Sequence, residues 1–237
     1  MIDKDRVAVI TGATGNLGSV VARSFAEQGA RLALFGTNSE HLENLTTGLG
    51  LPRDRVLTGA FDFTAPDAAK SAASMVAEKF GRIDILLHLI GGWAGGKSIP
   101  EAPPSELESV LNQHVWTTFY LAQAFISRLM ENRWGRIIVI SSSLTSDPPA
   151  KMGPYVAAKA AQEALMLSIA KETAGSGVTA NILQVRTIDA DHKRDQEPTP
   201  ENAGWTTPEE ITAAILYLCS NEAQVINGAR IPLFGGS

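Results

Sequence analysis

A tyrosine, a lysine and a serine in the second half of the chain have the types and spacing that carbonyl chemistry requires. Tyr155 and Lys159 are four residues apart, so on a helix their side chains share one face. Ser142 lies thirteen residues before Tyr155 and ends an apolar run that is typical of a buried strand. A strand end and a helix start can present a hydroxyl, a phenol and an ammonium to one pocket. Such a set is suited to moving a proton to or from a carbonyl oxygen or an alcohol.

The elements that must position these groups alternate along the chain. Short apolar runs predict strands, and the segments between them have helical periodicity. The predicted strands are 7–10, 32–35, 55–60, 83–89, 136–141, 178–183 and 230–233, and the predicted helices are 17–28, 39–47, 65–80, 105–131, 155–174 and 207–220. This order predicts an α/β fold, a Rossmann-type doubly wound parallel sheet of about seven strands with helices on both faces. We expect residues 1–237 to form a single domain.

The longest irregular segment, 186–207, is rich in proline, glycine and charged residues. We expect it to be a flexible loop on the substrate side, near the carboxyl ends of the strands. Loop position also suggests four residues for the wall of the substrate pocket, namely Trp93, Leu144, Lys151 and Trp205.

Composition limits the classes of function. The chain has 237 residues, 44% of them hydrophobic and 19% charged, as in an ordinary globular protein. A net charge of −5 and the lack of a long basic block speak against nucleic acid or an anionic membrane as partner. Cys219 is the one cysteine and the four histidines have no ligand spacing, so we expect no metal site. The amino terminus does not resemble a signal peptide, and no apolar stretch is long enough to span a membrane, so we expect a cytoplasmic protein.

A glycine-rich segment, 11–18, connects the first predicted strand to the first helix. Glycines at this junction allow a tight turn and a close approach of the backbone to a pyrophosphate, and the helix amino terminus supplies free N–H groups. A purely structural strand-to-helix turn is the alternative. We predict that the segment binds a dinucleotide through Gly12, Thr14, Asn16, Leu17 and Gly18.

The end of the second strand bears on which dinucleotide is bound. A carboxylate there would bind the ribose of NAD and repel the 2′-phosphate of NADP. The first acid after this strand is Glu40, and Thr37 can receive a phosphate although no arginine or lysine is there to pair with it. We therefore expect NADP in preference to NAD. Asp62, after the third strand, is predicted to hydrogen-bond the adenine; a capping or turn role is the alternative.

These motifs together resemble the short-chain dehydrogenase/reductase family over nearly the whole chain. The resemblance rests on segment 11–18, Asp62, Ser142, Tyr155, Lys159, Asn181 in the sixth strand and the ending 227–236. It implies an oxidoreductase in which Tyr155 is the general acid/base, Lys159 binds the nicotinamide ribose and lowers the pKa of Tyr155, and Ser142 holds the substrate oxygen. It also implies a homodimer or homotetramer formed through helices 105–131 and 155–174; an apolar stripe that serves only the core is the alternative.

Several positions depart from the family pattern. Segment 88–91 is His-Leu-Ile-Gly where the family usually has Asn-Asn-Ala-Gly, and 185–186 is Val-Arg where it has Pro-Gly. Gly91 and Thr187, at these altered strand ends, are nevertheless predicted to contact the cofactor. His114 stands where a helix asparagine often completes a water relay behind the lysine. It is a candidate catalytic residue, and a buried polar slot is the alternative.

The favoured function is a carbonyl reductase that uses NADP or NAD to interconvert a ketone and a secondary alcohol of a small molecule. Two alternatives stay open. Segment 91–96, a tryptophan (Trp93) flanked by glycines, is similar to one in dihydropteridine reductases and suggests reduction of a ring substrate. The altered motifs suggest instead a regulator that binds the nucleotide without chemistry.

Overall fold

The computed structural model describes residues 3–234; Gly235 and Gly236 of the predicted ending lie outside the described residues. Seven parallel strands form one sheet in the order β3-β2-β1-β4-β5-β6-β7. The strands are β1 Val7–Thr11, β2 Arg31–Gly36, β3 Val56–Ala60, β4 Ile85–His88, β5 Gly135–Ser142, β6 Val178–Val185 and β7 Arg230–Pro232. The predicted doubly wound sheet is therefore confirmed.

The helices cover both faces of this sheet. They are α1 Asn16–Glu27, α2 Ser39–Leu49, α3 Ala68–Phe80, α4 Pro104–Leu111, α5 Thr117–Glu131, α6 Gly153–Glu172, α7 Lys193–Gln196 and α8 Pro208–Leu218. One core cluster joins the sheet to α3, α5 and α6, and a second joins it to α1, α2 and α8. In β1 the alternate residues Val7 and Val9 enter the first cluster while Ala8 and Ile10 enter the second. This two-sided burial is why the strands are apolar throughout.

The strand order creates the crevice in which a site can form. β1 pairs with β2 on one side and with β4 on the other, so the connections after β1 and β4 leave towards opposite faces. The carboxyl ends of β4, β5 and β6 border the same crevice. The ends of these strands and the start of α6 therefore converge at one edge of the sheet, as the sequence argument required.

The helix predicted over 105–131 is present, but it is not α-helical throughout. A π-helical turn, Asn112–Trp116, separates α4 from α5. Hydroxyls of the next turn accommodate the widened backbone, because Thr117 Oγ1 donates to the carbonyl of Gln113 and Thr118 Oγ1 to that of His114, both at 2.6 Å. The sequence pattern does not distinguish a π-helical turn from the α-helix around it, so the prediction did not include this turn.

Segment 186–207 carries more structure than its composition suggested. It contains α7, and Ile188 forms an isolated bridge with Thr206. The Asp189 carboxylate accepts the backbone N–H groups of Lys193 and Arg194, both at 2.8 Å. The expected flexibility of the segment stays a prediction. In the described part of the chain, none of the helices combines the length and apolar character that a bilayer crossing requires.

Candidate active site

A cleft runs along the carboxyl edge of the sheet in two adjoining parts, which we call together the dinucleotide cleft. The inner part, of about 430 Å³, is bordered by Gly12, Gly15, Asn16, Leu17, Gly18, Gly91, His114, Tyr155 and Lys159 among others. The outer part, of about 250 Å³, is bordered by Gly12, Thr14, Thr37, Asp62 and Gly91 among others. All the predicted cofactor residues except Thr187 therefore border this cleft.

Two glycines of the segment after β1 are required by the local geometry. Gly12 has a φ of +69°, and a Cβ there would lie 3.0 Å from the backbone of Leu89. A Cβ on Gly18 would lie 2.2 Å from the carbonyl oxygen of Gly12. Gly15 precedes α1 without a capping side chain, so the N–H groups of the first turn are free for a ligand. The segment thus forms the cradle of backbone N–H groups that a pyrophosphate needs.

The outer part of the cleft has the features of a nucleoside site. The rings of Phe61 and Phe63 border it beside Asp62. One carboxylate oxygen of Asp62 accepts hydrogen bonds from the backbone and hydroxyl of Thr64, which hold its pKa below the ordinary value. Asp62 therefore has the turn role that was the alternative to adenine binding, and it also borders the cleft. No acid is present at residues 36–39, directly after β2, where Asn38 is engaged as the N-cap of α2.

Tyr155 is placed where the dinucleotide cleft meets a second cavity. It lies in the first turn of α6, and Ser142 is the last residue of β5. Burial raises the pKa of Tyr155 above its ordinary value, and the neighbouring Ser142 hydroxyl acts in the opposite direction. Burial of the phenol is the larger of these two influences. That Lys159 lowers the pKa of Tyr155 stays a prediction.

Lys159 is buried one turn after Tyr155. Its ammonium donates to the carbonyl of Ile140 at 2.8 Å and to the side chain of Gln162 at 3.1 Å. Gln162 in turn donates to the hydroxyl of Thr118 at 2.9 Å. Burial lowers the pKa of Lys159 to about 7, although the charge of Glu163 partly opposes this. The lysine can therefore gain and lose a proton near neutral pH.

His114 lies on the π-helical turn and faces Tyr155 edge-on, with 5.8 Å between ring centroids. Its Nε2 is 3.0 Å from the carbonyl oxygen of Gly92. A carbonyl only accepts hydrogen bonds, so Nε2 carries the proton and Nδ1 is an acceptor. Nδ1 is buried and has no partner among residues 3–234. Burial and the charge of Lys159 lower the pKa of His114 to about 3, so the ring is neutral.

His88 has a structural role that the sequence did not indicate. Its Nδ1 lies 3.0 Å from the hydroxyl of Thr11 on β1, and its Nε2 lies 3.2 Å from the hydroxyl of Thr117 on α5. Burial lowers its pKa to about 3. The imidazole thus connects two strands to the helix that carries the site, at the position where the family usually has an asparagine.

Glu163 is the clearest residue that the sequence argument missed. One of its oxygens accepts from Ser141 at 2.6 Å, from Thr145 at 3.0 Å and from Gln184 at 3.0 Å. The other accepts from Arg230 at 2.5 Å. These hydrogen bonds outweigh burial and keep the pKa of Glu163 below its ordinary value. The sequence did contain a signal for this role. Glu163 lies four residues after Lys159 on a helix that is apolar on both faces, and a buried acid is usually paired.

The second cavity has a volume of about 630 Å³ and lies on the other side of Tyr155 and Ser142. We call it the outer cavity; it shares no lining residue with the outer part of the dinucleotide cleft. Its walls are Trp93, Ser143, Leu144, Ser146, Asp147, Arg186, Thr187, Trp205 and Phe234. Three of the four suggested pocket residues are therefore present, whereas Lys151 does not border it. Thr187 borders this cavity and not the dinucleotide cleft, because the chain turns outward after β6.

The residues present fit a nicotinamide dinucleotide. The glycine cradle at α1 suits a pyrophosphate, and the aromatic outer part of the cleft suits an adenosine. In the inner part, the buried Nδ1 of His114 beside Lys159 can accept a hydrogen bond that no group of residues 3–234 donates. Among residues 3–234, no group of three or more His, Cys, Asp or Glu side chains is arranged to hold a metal ion.

Known proteins of one enzyme family are similar to this chain over most of its length. The family model for short chain dehydrogenases matches residues 6–201. D-threitol dehydrogenase of Mycolicibacterium smegmatis is 30% identical over 98% of this chain and 92% of its own length. A 3-oxoacyl-(acyl-carrier-protein) reductase of Vibrio cholerae is 28% identical over 98% and 96%. The crystal structure of a short chain dehydrogenase from Bacillus anthracis superposes with a TM-score of 0.86, at 30% identity, over 98% and 95%.

The chain therefore belongs to the short-chain dehydrogenase/reductase family. It is an NAD(P)-dependent oxidoreductase that acts on a small molecule. This identification favours an enzyme over the alternative, a regulator that binds the nucleotide without chemistry.

Proposed function

We propose that the protein is a carbonyl reductase that converts a ketone to a secondary alcohol with NADPH. The observation that carries this proposal is the place of Tyr155, which borders both the dinucleotide cleft and the outer cavity and has Ser142 beside it. A carbonyl group in the outer cavity would meet the proton donor at the boundary of the two spaces. In the part of the chain that the structure describes, no other tyrosine borders either space.

The side chains divide the work of the reduction between them. When bound, the reduced nicotinamide supplies the hydride that the carbonyl carbon receives. Tyr155 gives its proton to the carbonyl oxygen, and its raised pKa keeps the phenol protonated at neutral pH before that step. Ser142 donates a hydrogen bond to the same oxygen. Lys159 has a pKa of about 7 and can replace the proton that Tyr155 loses.

His114 completes this path as a hydrogen-bond acceptor. A Cβ on Gly91 would lie 3.8 Å from His114 Nδ1 and 4.0 Å from Lys159 Nζ, so the bare glycine leaves space beside both atoms. A water molecule in that space can accept from the lysine and donate to Nδ1. With a pKa of about 3, His114 acts by accepting this hydrogen bond and not by releasing a proton.

The test combines a substrate panel with two tyrosine variants. Purified protein and NADPH are mixed with ketones, aldehydes and a quinonoid dihydropterin, and the absorbance of NADPH is followed. Tyr155→Phe should lower kcat at least about 100-fold and leave dinucleotide affinity unchanged. Tyr217→Phe, which alters an exposed tyrosine on α8, is the matched control. Undiminished turnover by Tyr155→Phe would refute the acid/base role.

The preference for NADP rests on the end of β2. The absence of an acid at residues 36–39 removes the group that repels a 2′-phosphate. Thr37 borders the cleft at this point. We expect a higher kcat/KM with NADPH than with NADH, and we expect Thr37→Asp to reverse the order. An unaltered ratio in this variant would contradict the assignment.

One observation favours a ring-shaped substrate. The indole of Trp93 is 68% exposed although it borders the outer cavity, so a flat ligand can stack on it. The quinonoid dihydropterin in the panel tests the pterin version of this idea. Turnover of that compound, lost in Trp93→Ala, would support it.

A homodimer or homotetramer is the assembly that the surface supports. Trp116, Phe119 and Met130 on and before α5 are exposed, and the first two contact Tyr120. A second copy of the same helix face would cover these side chains. Light scattering should give a multiple of 25.2 kDa, and Phe119→Glu should shift it towards the monomer. A monomeric wild-type protein would remove this proposal.

A further inference from the structure

Among residues 3–234, Arg186 is the one basic side chain that borders the outer cavity, and Asp147 is the one acid. Arg186 follows β6 directly, at the position where the chain leaves the sheet. Its guanidinium makes no hydrogen bond or ion pair with residues 3–234. By contrast, Arg194, on the same segment, binds the carbonyl of Trp205 and the Glu210 carboxylate. Arg186 therefore keeps its donors available to a ligand.

The Arg186 side chain is exposed, and two neighbours lie against it. The side chain runs across Gly204, where a Cβ would lie 2.9 Å from Arg186 Nη1 and 3.1 Å from Cδ. The charged end lies 5.8 Å from the centroid of the Phe234 ring. A residue with a side chain at 204 would displace the arginine. The room that Gly204 leaves and the nearby ring of Phe234 together favour a cation at the wall of the cavity.

The other walls indicate what such a ligand looks like. The indoles of Trp93 and Trp205 and the side chain of Leu144 are flat or apolar surfaces, and Ser142 and Tyr155 lie at the inner end. An apolar ring with one anionic group would stack on the indoles and pair with Arg186. Its carbonyl would then lie against Tyr155. An arginine binds a carboxylate through two parallel hydrogen bonds, which fixes orientation as well as charge.

We propose that the substrate of this enzyme carries a carboxylate on a ring, that Arg186 binds this carboxylate, and that the binding directs the carbonyl to Tyr155. This inference rests on the proposed carbonyl reduction. Arg186 also borders the inner part of the dinucleotide cleft, so the pyrophosphate is the competing anion. Phe234, beside the guanidinium, borders the outer cavity and not the dinucleotide cleft, and the pyrophosphate already has the start of α1. Both facts favour the substrate.

The test uses substrates that differ in charge but hardly in shape. The compounds 3- and 4-acetylbenzoate are compared with the matching acetylbenzamides. In the wild-type protein the acetylbenzoate that is reduced more efficiently should have a higher kcat/KM than its amide. Arg186→Gln should lower that value about 30-fold and change the amides about threefold or less, with the dissociation constant of NADPH unchanged. Arg23→Gln, an exposed position on α1, is the control and should change none of these values.

Binding without turnover provides a second readout. Tryptophan fluorescence of the enzyme with NADP⁺ should be quenched by 4-acetylbenzoate at lower concentrations than by the amide, and Arg186→Gln should abolish the difference. Equal binding of acid and amide by the wild-type protein would overturn the inference. So would weaker NADPH binding in Arg186→Gln with an unchanged acid-to-amide ratio, which would assign Arg186 to the pyrophosphate. If the acid binds selectively but no ketone of any kind is reduced, the proposed carbonyl reduction fails and the anion site stands.

Discussion

Replacing the buried lysine should make this protein more stable and inactive, and the stability gain should depend on pH. Lys159 is 5% exposed, and burial lowers its pKa from 10.5 to about 7. Between these two values the unfolded chain holds a proton that the folded protein has released. The free energy of unfolding of the wild-type protein therefore rises with pH from about 7 to about 10 through this one group. Lys159→Met removes the group and with it the slope.

The size of the effect follows from the shift. One pKa unit corresponds to about 1.4 kcal/mol, so the charged lysine costs the folded state about 5 kcal/mol at pH 6. That cost decreases by about 3 kcal/mol between pH 6 and pH 9. The methionine leaves the carbonyl of Ile140 and the side chain of Gln162 without their donor, which costs about 1–3 kcal/mol at every pH. The variant should therefore be more stable at pH 6, by an amount that declines by about 3 kcal/mol at pH 9.

Thermal unfolding measures this difference directly. The Tm of Lys159→Met and of the wild-type protein is measured at pH 6, 7, 8 and 9, at one protein concentration and without added dinucleotide. The difference in Tm should shrink by about 5–10 °C across the series. Lys171→Met, on the exposed last turn of α6, is the control and should show no such trend. A difference in Tm that stays constant from pH 6 to pH 9 would show that Lys159 is not a low-pKa group.

Three further predictions concern other parts of the site. Gly18→Ala should weaken dinucleotide binding measured by calorimetry and lower the free energy of unfolding by about 1–3 kcal/mol. Gly48→Ala, with open space around it, should instead stabilise α2 by about 0.5–1 kcal/mol. Equal effects of the two substitutions would contradict the cradle. His114→Leu should lower kcat more than His114→Asn does, and neither variant should remove a pH–rate inflection between 5 and 7, because the pKa of His114 is about 3. Glu163→Gln should lower the pKa of Lys159 further, seen as a shift of the Tm–pH curve towards lower pH; an unshifted curve would show that the Glu163 charge does not reach the lysine.

The sequence by itself determined the fold class and the outline of the site. Strands buried on both faces must be apolar throughout. At the first strand–helix junction the positive φ of Gly12 and the contact of Gly18 with the Gly12 carbonyl are local, although Gly12 also approaches Leu89 from a distant segment. The spacing of Ser142, Tyr155 and Lys159 is likewise local, because one strand end and one helix start fix it. These features depend on backbone geometry and periodicity, which a sequence displays directly.

Only the tertiary structure decided what the remaining polar residues do. His88 joins Thr11 and Thr117, and Glu163 pairs with Arg230 across 67 positions of the chain. The orientation of Arg186 towards the outer cavity depends on Gly204 and Phe234, which reach it from separate segments. A hydrogen bond or ion pair between distant segments depends on side-chain direction and on which elements become neighbours, and no local pattern in the sequence encodes either. The π-helical turn that places His114 escaped the sequence argument because the sequence pattern does not distinguish such a turn from the α-helix around it.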